Sequence, residues 1–95
     1  MLFARVVGTV VSTRKEESLR SVKLLLVQPV SPDGAAAGNL IVAADAVGAG
    51  VEELVLIAQG SSARMTELTN ERPCDAVIMG IVDIVEIGGR EVYRK

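Results

Sequence analysis

The sequence predicts a mostly-β fold closed into a small five-stranded barrel, with one short helical segment. Three observations carry this expectation. β-branched residues dominate the chain, 15 Val and 6 Ile among 95 residues, and such side chains fit a pleated, half-buried surface. They fall in short apolar runs punctuated by Gly, Pro, Asn, Asp and Ser, the residues that end strands and form turns. An all-β chain this small also exposes unpaired strand edges unless its sheet closes on itself.

The first run, Phe3 to Thr13, alternates loosely around Gly8. A glycine inside a strand pattern marks a bulge or a sharp bend, the device by which small barrels turn corners. Arg14 to Arg20 is a polar connection. The second run, Ser21 to Gln28, holds Leu24, Leu25, Leu26 and Val27 without polar interruption, as expected of a strand covered on both faces, and Pro29 ends it. Val30 to Gly38 reads as an exposed loop built on the turn signal Pro32-Asp33-Gly34. The third run, Asn39 to Val47, enters Gly48-Ala49-Gly50, and the fourth, Leu54 to Gln59, enters Gly60-Ser61-Ser62. A helical turn is expected from Ser61 or Ser62, because a serine cap stands just ahead of Ala63-Arg64-Met65. After Pro73 a long apolar run, Ala76 to Ile87, forms the fifth strand, and Gly88-Gly89 closes it with a hairpin to Glu91–Tyr93. The expected whole is a single OB-like barrel domain spanning 1–95, with 88–95 as a C-terminal tail.

The same composition narrows the chemistry. There is no histidine, so Ser61 and Ser62 lack the usual base and read as turn or helix-cap residues. Cys74, the one cysteine, likewise has no imidazole partner; it excludes an internal disulfide framework and fits a reducing, cytoplasmic setting. Asp45, Asp75 and Asp83 are scattered through the strands without metal-ligand spacing, and their expected partners are backbone donors at turns or arginines. Gly48-Ala49-Gly50 lacks the third glycine of a dinucleotide fingerprint and the Lys-Ser/Thr of a P-loop, and Glu52-Glu53 would repel an anion. No cofactor, metal or catalytic residue is expected. An OB-type module for single-stranded nucleic acid is the competing reading. It meets a net charge of −2 and two aromatics, Phe3 and Tyr93, at opposite ends of the chain, where stacking platforms in a basic groove are required. No run approaches the roughly 20 apolar residues of a membrane helix. With an apolar fraction of 49%, the surplus apolar surface is expected to be buried between subunits.

Several segments, in order along the chain, carry a resemblance. Arg5-Val6-Val7-Gly8-Thr9-Val10-Val11 with Arg14-Lys15, then Leu19 and Lys23-Leu24-Leu25-Leu26-Val27-Gln28-Pro29, open it. It continues through Val42 to Gly50, Val55-Leu56 and Gly60-Ser61-Ser62-Ala63-Arg64, and ends in Asp75 to Asp83. Over roughly residues 1–87 the chain resembles the pentameric vertex proteins of bacterial microcompartment shells, the carboxysome and ethanolamine-utilisation vertex subunits. The resemblance implies an OB-like barrel assembled as a cyclic ring, a homopentamer that caps the vertices of a polyhedral shell beside hexagonal tile proteins, and no enzyme. It also implies that Gly48, Ala49 and Gly50 lie near the pore, and that Gly60, Ser61, Ser62, Ala63 and Arg64 contribute to the subunit interface. One departure stands beside the implied pore: relatives often have glycine at the position of Glu52.

Overall fold

The computed structural model describes residues 1–12, 17, 22–60, 63 and 75–95. Among them are seven strands: β1 (Leu2–Val10), β2 (Leu24–Pro29), β3 (Ile41–Asp45), β4 (Leu54–Gln59), β5 (Ala76–Ile81), β6 (Ile84–Ile87) and β7 (Arg90–Arg94). The first five form a closed barrel in the order β1-β2-β3-β5-β4, as the strand-rich sequence requires. Neighbours pair antiparallel except β3 and β5, which run parallel and meet only at Ala44 with Val77 and Asp45 with Ile78.

Inside the barrel, alternation along each strand points Ala4 and Val6, Leu25 and Val27, Ala43, Val55 and Ile57, and Ile78 into one core. Burying a side chain of this size contributes about 1.5–3 kcal/mol. The bulge expected near Gly8 is present: register shifts between Val6 and Gly8, leaving Val7 unpaired on the outside. A second cluster lies on the outer wall, where Ala44, Val77 and Ala58 stand side by side on β3, β5 and β4. Val22 and Ala63 cover them, and the small side chains let the covering segment approach closely. β5 is thus buried on both faces over Ala76, Val77 and Ile78.

Three expectations need correction. β2 is not covered on both faces, because Leu25, Val27 and Pro29 are buried while Leu24, Leu26 and Gln28 are partly open. Val30 is buried and bridges to Ala36, so the loop of residues 30–38 starts from the core; its turn is held by Ser31 and the Ala35 amide on the Asp33 carboxylate. The run Ala76 to Ile87 is two strands, since the chain leaves the barrel at Val82–Asp83. Periodicity is the same on both sides of that corner, so sequence alone does not reveal it. The hairpin expected at Gly88-Gly89 forms: β7 pairs antiparallel with β6 around these glycines, with Val92 bulged. The helical turn expected after Gly60 lies outside the described residues.

The β6–β7 hairpin pairs with no barrel strand. Its root packs through Val85 and Tyr93 against the buried cluster of Val30, Leu54 and Val82, which Phe3 of β1 and Leu56 of β4 also cover. The two aromatics, far apart in sequence, therefore meet in one cluster. Overall extents are 45 × 23 × 21 Å.

Candidate functional site

The segment from Asp45 to Glu53 is organised by carboxylates that collect backbone donors. Asp45 ends β3, and its side chain is 2% exposed. Its Oδ1 accepts from the amides of Val47 at 3.0 Å, Gly48 at 3.0 Å and Ala49 at 3.2 Å, and Oδ2 accepts from Ala49 at 3.0 Å. A short carboxylate at a strand end does this readily, because it satisfies donors that the departing chain strips from the ladder. Lys23 Nζ stands 3.9 Å from Oδ2. Gly48 takes a φ of 78°, a conformation glycine adopts without steric cost. Ala49 turns back into the core, leaving Gly48 and Gly50 exposed on either side.

Gly50 to Glu53 is a tight turn. Glu53 N–H donates to the Gly50 carbonyl at 3.2 Å, and Gly50 N–H donates to Glu53 Oε1 at 2.5 Å. Glu52 occupies the third position with a φ of 76° and is, among the described residues, the non-glycine residue at positive φ. A type II turn demands such a φ there and usually fills the position with glycine. Glu52 is held by its backbone: its N–H donates to the Val6 carbonyl at 2.8 Å, and its carbonyl accepts from Arg5 Nη1 at 3.1 Å. Glu52 therefore takes the left-handed position that the turn requires.

Glu53 also reaches the hairpin. Its Oε2 lies 2.5 Å from Lys95 Nζ, and the Lys95 amide donates to the Asp83 carbonyl at 2.8 Å. The Lys95 ammonium, then the Gly50 amide, hold the Glu53 carboxyl below its usual range; Glu53 in turn raises the Lys95 ammonium. One carboxylate thus joins the turn at Gly50 to the end of the hairpin, a connection that no local sequence motif announces.

Of the second group of residues, Gly60 is exposed with a φ of 64°, and its amide donates to the Asp75 carbonyl at 2.8 Å. Ala63 is fully buried against its own chain. Ser61, Ser62, Arg64 and Cys74 lie outside the described residues. Among the described residues there is no cluster of carboxylates or cysteine able to hold a metal ion, and no helix is long and apolar enough to cross a membrane. The outer face of β2 and β3, where OB barrels take up nucleic acid, carries Leu24, Leu26, Gln28 and Val42 and offers no stacking platform. Among the described residues a dozen large apolar side chains are exposed, including Val7, Leu40, Val42, Ile84 and Ile87. Among the described residues of the site, the carboxylates of Asp45 and Glu53 are engaged by backbone amides and by Lys95.

Comparison with known proteins agrees. Residues 1–83 match the family described as ethanolamine utilisation protein EutN/carboxysome. The carboxysome shell vertex protein CcmL of Synechococcus elongatus is 52% identical over 95 residues, covering 100% of this chain and 96% of that protein. The structure of CcmL from Nostoc sp. PCC 7120 superposes with a TM-score of 0.95 at 48% identity over 100% of both chains. The pentameric microcompartment shell protein GrpN of Rhodospirillum rubrum does so with a TM-score of 0.82 at 44% identity, over 92% of this chain and 99% of that one.

Three outcomes are expected. Asp45→Ala removes a buried acceptor from the Ala49 amide and should cost about 2–4 kcal/mol in denaturant unfolding. Glu52→Gly should stabilise by about 0.5–1 kcal/mol, since relief of about 1–2 kcal/mol at positive φ exceeds the entropy that glycine loses, whereas Glu52→Val should destabilise. The Glu53–Lys95 pair should respond to pH. Because the folded carboxyl lies below its usual value, its contribution is present above that value and is lost as pH falls through the lowered one; the raised Lys95 loses its contribution only as pH rises through its own elevated value. Lys95→Met should therefore lower the melting temperature near neutrality, with the gap to the native chain closing in acid.

Proposed function

The chain belongs to the ethanolamine utilisation protein EutN/carboxysome family, and from that premise we propose how it works: five copies form a ring that caps a vertex of a polyhedral shell and closes it. It is a structural shell vertex protein of a bacterial microcompartment, a body of the bacterial cytoplasm, and it is not an enzyme. A sheet of hexagonal tiles is flat, and fivefold defects at the corners give it closure. The work is geometric: the ring supplies curvature and a seal. The observation that carries this reading is the chain-long likeness to vertex and pentameric shell proteins, and the surplus of exposed apolar side chains is its physical counterpart.

Four finer statements belong to the same proposal. The partners at the ring's rim are hexagonal tiles of the same shell. Gly48, Ala49 and Gly50 lie toward the ring axis and its pore. Gly48 is exposed with nothing within 4 Å of a Cβ built on it, and Ala49 anchors the segment in the core; both support an outward-facing lip on a fixed base. Gly60, Ser61, Ser62 and Arg64 serve subunit packing, with Ala63 anchoring that segment in its own chain. The whole chain, 1–95, acts as one domain.

Native mass spectrometry of the pure protein should give a pentamer; a stable monomer or dimer at micromolar concentration would overturn the ring. Gly48→Ala should dissociate the ring while circular dichroism of the barrel persists. Gly34→Ala, also at positive φ (94°), should carry the same backbone cost of about 1–2 kcal/mol and leave the ring whole. Arg64→Ala should weaken the ring by about 1.5–3 kcal/mol per site if it donates a charge-assisted bond.

A further inference from the structure

Two parts of the chain that are distant in sequence meet on one carboxylate. The turn of residues 50–53 is laid on β1, where Glu52 N–H donates to the Val6 carbonyl at 2.8 Å and Val6 N–H donates to the Glu53 carbonyl at 3.0 Å. The hairpin leaves the barrel at Val82–Asp83, and its far end comes back to that corner through the Lys95 amide on the Asp83 carbonyl at 2.8 Å. The Glu53 side chain stands between the two. Its Oε1 accepts from Gly50 N–H at 2.5 Å, and its Oε2 lies 2.5 Å from Lys95 Nζ. β1 fixes the Glu53 backbone, so the side-chain torsions alone set where the carboxylate lies. From 2.5 Å, a move of about an ångström takes either contact out of hydrogen-bond range.

Gly50 is fitted to this carboxylate. It is not among the glycines at positive φ, so its backbone angle does not demand glycine. The space beside it does. A Cβ built on Gly50 would meet Glu53 Oε1 at 3.3 Å and Cδ at 3.9 Å, the first closer than the roughly 3.5–4.0 Å at which non-bonded carbon atoms pack best. Gly48, two residues earlier, has nothing within 4 Å of a Cβ built on it. A side chain at Gly50 therefore presses on the carboxylate, and the carboxylate yields by swinging away from where Lys95 meets it.

We propose that Glu53 couples the exposed segment at Gly48 and Gly50 to the β6–β7 hairpin: displacement at Gly50 releases Lys95, and release of Lys95 loosens the turn. Such coupling acts with equal free energy in both directions. It lies within one chain and does not require the ring proposed above. A contact made on the exposed glycines is thereby felt at the hairpin, whose remaining hold on the barrel is the root at Val85 and Tyr93.

Amide hydrogen exchange of the assembled protein, read by mass spectrometry on peptides, tests it. Lys95→Met should speed exchange in residues 82–95 and also in the turn of residues 50–53, by about two- to fivefold, the range of a partly exposed ion pair. Gly50→Val, at the other end, should speed exchange in residues 82–95. In both variants the β2 amides, which report the barrel as a whole, should exchange as in the native chain. With Glu53→Ala already in place, adding Gly50→Val should change nothing further in the hairpin, because the group that carries the displacement is gone. A turn unaffected by Lys95→Met, a hairpin unaffected by Gly50→Val, or equal effects of Gly50→Val with and without Glu53 would each overturn the coupling. If circular dichroism shows that Gly50→Val does not fold, Lys95→Met decides the matter from the other end. A monomeric parent protein overturns the ring and leaves the coupling standing.

Discussion

The barrel closes through a parallel seam two residue pairs long, Ala44 with Val77 and Asp45 with Ile78, and the course of the chain beyond β3 depends on how that seam ends. Asp45 belongs to the seam by its backbone and to the next loop by its side chain. Its carboxylate gathers the amides of Val47, Gly48 and Ala49, so the strand stops there and the chain curls back on itself. Ala49 then drops into the core, and the turn after it is laid on β1 at Val6, beside the bulge that Gly8 permits. Each step leaves the next one little freedom. The turn presents Glu53, and Glu53 takes hold of Lys95, fixing the hairpin that leaves the barrel at Val82.

This continuity gives a structural protein what it needs. A shell vertex has to hold a fixed angle between copies, and angle is set by how rigidly the contacting parts are joined. Here the exposed glycine lip at Gly48 and Gly50 and the projecting hairpin are both tied to the seam through hydrogen-bonded carboxylates rather than through flexible linkers. Among the described residues, the carboxylates of Asp45 and Glu53 are engaged by backbone amides and by Lys95.

Much of the barrel was legible in the residues. Gly8 marked the bulge, Pro29 the end of β2, and Leu54–Gln59 a complete strand, because strand alternation and turn chemistry act over a few residues. The segments carrying Gly48 to Gly50 and Gly60 to Arg64 were singled out through the family resemblance. What escaped were features that depend on direction in space. Ala76 to Ile87 keeps its apolar pattern through the corner at Val82–Asp83, and the Lys95–Glu53 contact that fixes the end of the hairpin spans more than forty residues. Phe3 and Tyr93 looked isolated for the same reason, although they share one cluster.

Composition, periodicity and turn residues thus determined that this chain is a small closed barrel rich in apolar side chains. Only the tertiary structure decided which of those apolar residues stay outside, and that Glu52 keeps a left-handed turn where glycine is usual. The reason is physical: alternation tells that a strand has two faces, but which face meets water depends on partners distant in sequence, and a backbone angle is imposed by the bonds at its two ends.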